Sequence, residues 1–184
     1  MIGRIVPILP RDRDPRLITI RRGGTLTDDH HRLLACWALA CAEHVLPFFE
    51  DHRPAELDDH EPADRRPRDA LEIGHAWIRG EASMRDAHQA AFQANAAAKG
   101  RTDPAKFAAL AAGQAVAVAH VAAHDLGAAA YAIRAAGAAA VDDAGQARAR
   151  ERDWQREQLP AAVRELVLDD QRQRSALCWN VFDD

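Results

Sequence analysis

One residue type dominates this chain, and it is concentrated in one place. Of 41 alanines in 184 residues, 22 lie between positions 101 and 150, against 4 in the first fifty. Alanine is the strongest helix former because ordering it costs no side-chain entropy. Its side chain is also short, so two helices that meet through alanine must approach closely to leave no void. With one Tyr, five Phe and four Trp, aromatic anchors and sheet formers are scarce. The expected fold is all-α: an alanine-rich, single-domain, antiparallel helical bundle. A chain of this length suits one domain with a proper core rather than two.

The same stretch limits how its helices can run. Across residues 104–140 only glycines and Asp125 interrupt helical propensity. One straight helix of that length would measure about 55 Å, at roughly 1.5 Å per residue. A domain of this size is only about 40 Å across. A break is therefore expected between Ala122 and Gly127, with Asp125 as cap and Gly127 relieving strain. The stretch also holds His120 and His124, spaced as helical zinc peptidases space two ligands. Val121 stands where those enzymes carry glutamate, and only Asp125 offers itself as a third ligand. No metal is expected there, and the imidazoles are expected to bond a backbone carbonyl or a carboxylate across a helix junction. Nor is a metal expected at Cys36 and Cys41, which diverge by about 140° around a helix.

Other elements follow from their punctuation. Residues 1–24 read as an extended arm, and the alternation in "RLITI" predicts a short strand or edge hairpin ended by "RRGG". Residues 25–184 read as the helical domain. Thr27 is a good N-cap, followed by Asp28 and Asp29 where the helix dipole favours negative charge. The stripe Leu34, Trp37, Cys41, Val45 and Phe48 predicts a buried face, and Pro47 a kink or an end. Residues 50–67 carry three prolines and read as a loop. Further helices are expected from Pro67, over 83–99, from Pro104 with Asp103 as cap, and along Leu159, Val163, Leu166 and Val167. Trp37 and Trp77 should be largely buried. Cys178, Trp179 and Phe182 read as an apolar terminus docked on the core.

Charge narrows the function classes. The formal net charge is −4, so bulk electrostatics does not draw the chain to phosphate backbones, and no nucleic-acid partner is expected. The distribution is uneven: residues 1–24 hold six Arg against Asp12 and Asp14, whereas residues 50–64 hold seven acids against Arg53. Arg68, Arg79 and Arg134 border alanine-rich faces, where they can pair with acids or meet an anion. Three cysteines without CxxC spacing suggest reduced thiols. No signal-peptide core opens the chain, and its longest uncharged stretch, residues 107–124, is too weakly apolar for a membrane span. A cytoplasmic protein with no membrane partner is expected. There is no GxSxG, GxGxxG or phosphate-loop pattern, and the pairs Asp28/Asp29, Asp58/Asp59 and Asp142/Asp143 occupy capping or loop positions. Neither a catalytic residue nor a cofactor is expected.

Several long stretches carry a resemblance in order: "ITIRRGGTLTDDHHRLLACWALACAEHVLPFFE", "RPRDALEIGHAWIRGE", "AVAHVAAHDLGAAAYAIRAA" and "RDWQREQLPAAVRELVLDDQRQRSALCWNVF". They resemble bacterial immunity proteins with an immunity-five-like, all-helical domain from polymorphic toxin systems. The resemblance runs from about Arg16 to the C-terminus. It implies a cytoplasmic, non-enzymatic protein that binds and blocks a cognate protein toxin. If that toxin is basic, the acidic segment is the surface to meet it, because opposite potentials speed association. Asp51, Glu56, Asp58, Asp59 and Glu61 are then the candidate partner-binding residues. Two other readings stay open. One is a small helical enzyme or ligand binder whose polar pocket uses His44, His75, His120, His124 and Tyr131. The other is a homo-oligomeric scaffold, since alanine faces with few large residues often need a partner.

Overall fold

The computed structural model describes residues 8–51 and 63–183. The helices are α1 (Asp28–Val45), α2 (Pro47–Glu50), α3 (Arg66–Ile78), α4 (Met84–Ala97), α5 (Ala105–Ala117), α6 (Asp125–Ala139), α7 (Ala144–Glu157) and α8 (Ala161–Arg174). The fold is an all-α bundle, and no strand occurs among the described residues.

Helix α1 starts where its sequence says. The Thr27 hydroxyl accepts from the His30 amide at 3.2 Å, and Asp28 and Asp29 occupy the first turn. Leu34, Trp37, Cys41 and Val45 are buried, while Phe48 lies beyond the proline and is only partly covered. Pro47 lacks the amide that would continue α1, so it opens the single turn α2 instead. By length and composition, residues 28–50 are apolar enough to cross a membrane, but the apolar stripe of α1 lies inside the bundle.

Helix α5 is the centre of the bundle, packed against α1, α3, α4 and α6, while α6 also meets α1 and α7. Ala108, Ala109, Ala111 and Ala112 of α5 are buried, as are Ala128, Ala129, Ala130 and Ala132 of α6. The alanine-rich stretch does break, but earlier than its composition indicated. Helix α5 ends at Ala117, Val121 is extended, and a 3₁₀ turn over Ala122–His124 leads into α6. The reason is tertiary. The carbonyl of Val118 accepts from His31 Nε2 at 2.7 Å, and that of His120 from Arg22 Nη1 at 2.9 Å. Carbonyls left over at the helix end thus find donors on α1 and the arm. Asp125 does not cap; it is buried against Arg174 of α8. Gly127 does not relieve a bend either. It lies within α6, where Gln114 of α5 comes so close that a Cβ would meet its Oε1 at 2.5 Å.

The arm departs from its expected strand. It forms two 3₁₀ turns, Pro15–Leu17 and Ile20–Arg22, and a single bridge between Thr19 and Leu26. A strand needs a partner along its whole length, and in this all-helical surround only Leu26 runs beside it. Leu17 and Ile8 are buried in the main core. Arg16 ties the arm to Asp169 of α8 at 2.6 Å.

Asp143 caps α7 by accepting from Gln146 at 2.8 Å. Where α7 and α8 close the bundle, the interior turns polar. Trp37 Nε1 donates to the Gln155 carbonyl at 2.8 Å, and Gln155 Nε2 donates to the Ala129 carbonyl and Glu151 Oε1. Arg174 holds Asp170 with two guanidinium nitrogens and reaches Asp125 Oδ1 at 3.4 Å and the Ala123 carbonyl at 2.9 Å. Leu159, Val163, Val167, Cys178 and Phe182 are buried around this layer.

Candidate functional site

A cleft of about 370 Å³ opens where five elements meet: the arm, the start of α1, the end of α3, the start of α4 and the α5–α6 corner. Each element enters it for a local reason. The 3₁₀ turn Ile20–Arg22 ends at Gly23 with φ +86°, a left-handed conformation that suits glycine, and from this turn Arg22 reaches the His120 carbonyl of the corner. Ser83 and Asp86 form a reciprocal capping box that starts α4 and places Met84 on the rim. The corner contributes Ala119, His120, Val121 and Ala122, and α3 contributes Trp77.

The polar lining is cationic or neutral. Arg13, Arg21 and Arg22 face the cleft with His31 and His120, and among the described residues no carboxylate lines it. Arg21 is paired with Asp28 at 2.9 Å on the outer side. His31 is buried, and burial holds its imidazole below the ordinary value, so the ring is neutral and donates to Val118. Trp77 meets it edge-on at 5.1 Å. Trp77 is therefore only partly buried, against the expectation of a core position, because one side of the indole is cleft wall.

His120 and His124 flank the corner, with ring centroids 5.2 Å apart, and His88 stands edge-on to His120 at 4.7 Å. His124 Nδ1 donates to Gln114 Oε1 at 2.7 Å, a side-chain amide oxygen rather than the expected backbone carbonyl or carboxylate. His120 Nδ1 is buried without a hydrogen-bond partner among the described residues. Burial lowers the His124 pKa to about 4, with the neighbouring His120, Arg13 and Arg174 adding to it. His120 is lowered by burial and then by His88, Arg22 and Arg13. Among the described residues no three His, Cys, Asp or Glu side chains converge as a metal shell requires.

The other residues singled out from the sequence lie elsewhere. His44 sits in a shallow groove with Phe48, Ala136, Ala140 and Trp154. Its Nδ1 donates to the buried Glu151 at 2.8 Å, and its ring stacks on Trp154 at 3.7 Å. His75 pairs on the surface with Glu43 at 2.6 Å. Tyr131 packs beside Phe107 and Trp179, with the Arg134 guanidinium 4.0 Å from the Phe107 ring and 4.1 Å from Trp179. The five proposed pocket residues are thus spread over four places, and only His120 and His124 are brought together. Arg68 forms two bonds to Glu50, at 2.5 and 2.6 Å, and Arg79 pairs with Glu81. Asp51 is exposed just past α2, whereas Glu56, Asp58, Asp59 and Glu61 lie outside the described residues.

The arginines of the cleft were visible in the sequence as the basic excess of residues 1–24, without a sign of what they face. Nothing local marked Trp77 as a wall rather than a core residue.

Among protein-family models, the one described as Imm-5 like putative immunity protein matches residues 24–162. No curated protein and no solved structure matches the chain. The matched region begins at Gly24, so Arg13, Arg21 and Arg22 precede it.

Proposed function

The chain belongs to the Imm-5 like putative immunity protein family, and we propose that it protects its own cell by binding a cognate protein toxin directly, in the cytoplasm and without catalysis. The observation that carries this reading is the family match over residues 24–162. A bundle with a close-packed centre suits the role, because a surface that is rigid before contact loses little conformational entropy on binding. Charge favours one segment of the sequence over others. Residues 50–64 hold seven acids against one arginine, which favours a basic toxin. Asp51, Glu56, Asp58, Asp59 and Glu61 are the candidate contact residues of that segment; Glu50 already holds Arg68.

The test is co-purification and growth rescue with the toxin encoded beside this chain. The parent should form a complex and restore growth. A triple variant, D58N/D59N/E61Q, should keep its melting temperature, since surface charges outside caps and packing usually change stability by within about 0.5 kcal/mol. Its association with the toxin should slow, most clearly at low salt, where screening is weakest. No complex with the parent would end the toxin-binding reading. Equal association rates at every salt concentration would remove only the acidic segment.

A further inference from the structure

We propose that the cleft between the arm and the α5–α6 corner is a binding site for a small organic phosphate, its dianionic head held by Arg13 and Arg22 and its apolar body laid against Trp77. This does not depend on toxin binding. The lining carries three guanidinium groups and, among the described residues, no carboxylate. One of them, Arg21, is matched by Asp28. Arg22 uses Nη1 on the His120 carbonyl and Nη2 on the Met84 sulfur, at 2.9 and 3.8 Å. A guanidinium has five N–H donors, so three of its five remain. Arg13 makes no hydrogen bond or ion pair with any described residue. Two positive charges that form no ion pair with a described residue therefore face one concave, partly apolar space, which concentrates field and attracts anions. The fork geometry of guanidinium matches phosphate oxygens two at a time.

The rest of the cleft favours an ion with a body. Leu17, Trp77, Met84 and Val121 provide apolar surface, and about 370 Å³ sits at the lower end of small-ligand sites. There is room for a phosphate and one ring. His120 lines the same space with an Nδ1 that bonds no described residue, so an adjustment of its ring toward a ligand breaks none of the described bonds at that atom. The positive charge of Arg13 is felt at both His120 and His124. An anion placed among these groups would make their protonated forms easier to hold.

The test uses the full-length protein, titrated with inorganic phosphate, phenyl phosphate and phenol by calorimetry and by NMR of the histidine rings. Saturable one-to-one binding of phenyl phosphate is expected, several-fold tighter than phosphate, with phenol not binding. The His120 resonances should shift, and its pKa should rise on saturation. Arg13→Gln should weaken phenyl phosphate about tenfold, the usual consequence of losing one charge-assisted contact, and Arg13→Lys should recover part of it. Arg13 is exposed and bonds no described residue, so the variant should melt like the parent. Absence of saturation, or equal affinity in Arg13→Gln and the parent, would overturn the site. Equal affinity for phosphate and phenyl phosphate would overturn the assignment of Trp77. If the parent ignores phenyl phosphate while Arg13→Gln loses the toxin, the cleft takes a partner's carboxylate and the proposal fails.

Discussion

The α5–α6 hairpin and the layer where α7 and α8 close over it are both buried, yet they are held by opposite means. In the hairpin most of the buried side chains are methyl groups, as at Ala112 and Ala129, and Gly127 lets Gln114 pack close. In the closing layer the contacts are directional: Trp37 to the Gln155 carbonyl, Gln155 to Glu151, and Arg174 to Asp170, Asp125 and a carbonyl of the corner. A contact made of alanines has no partner to lose, and it fails when something is added. A buried ion network tolerates little subtraction, because the member left behind is a charge without water.

The largest effect should come from subtraction in the closing layer. Arg174→Met leaves two buried carboxylates, Asp125 and Asp170, without their cation and should lower stability by about 3–5 kcal/mol in urea melts. Combining it with Asp125→Asn and Asp170→Asn should recover most of that loss. A single-variant loss below about 1 kcal/mol would mean that the carboxylates rehydrate freely, and the contrast with the hairpin would collapse.

Addition in the hairpin should come next. Ala112→Leu inserts three carbons where α5 is fully enclosed and should cost about 1–3 kcal/mol, again read from urea midpoints. Unchanged stability would show that the hairpin has spare volume and is not closed by its alanines.

The smallest effect falls on the seam between the two regions, at His124 and Asp125. His124 is bonded to Gln114 of the hairpin, and burial holds its imidazole down to about pKa 4. Between pH 4 and roughly 6.5 the unfolded chain binds the extra proton, so this residue makes stability rise with pH. Asp125 belongs to the closing layer, and burial pushes its carboxyl up to about 7, against the pull of Arg174. From roughly pH 4 to 7 the native state binds the extra proton, so this residue makes stability fall with pH. The two oppose each other across nearly the same window. Compared with the parent at pH 4.5 and 6.5, His124→Gln should tilt the stability profile downward with rising pH and Asp125→Asn should tilt it upward. Groups remote from the seam are common to all three proteins, whereas Asp170, which shares Arg174 with Asp125, titrates together with it. Identical slopes in all three would break the assignment of opposite signs.

The legibility of the sequence follows the same division. Contacts governed by local rules could be read: the Thr27 cap, the Pro47 end, the stripe through Trp37, and the need for a break in an overlong alanine helix. Contacts made by groups far apart could not. The break lies at residues 118–124 rather than beginning at Ala122, because His31 and Arg22 satisfy the end of α5, and both precede it by more than eighty residues. Asp125 looked like a cap because its partner, Arg174, lies 49 positions away. The cleft was hidden for the same reason, since its arginines, Trp77 and His120 come from separate segments that only folding brings together. A composition count sees six arginines in the arm and has no means of telling a solvated run from the wall of a cavity.

The arm's attachment to α8 also sets an order of assembly during synthesis. Arg16 meets Asp169 across 153 positions, and Arg174 reaches the carbonyl of Ile8 across 166. At a synthesis rate of about 5–20 residues per second, the arm waits roughly 8–30 s on the ribosome before its anchor exists. The alanine hairpin can pair well before that. The arm's anchor on α8 is therefore among the last contacts of the molecule to form, and a nascent chain that has not yet made Asp169 presents Arg16 to the surroundings instead of to α8.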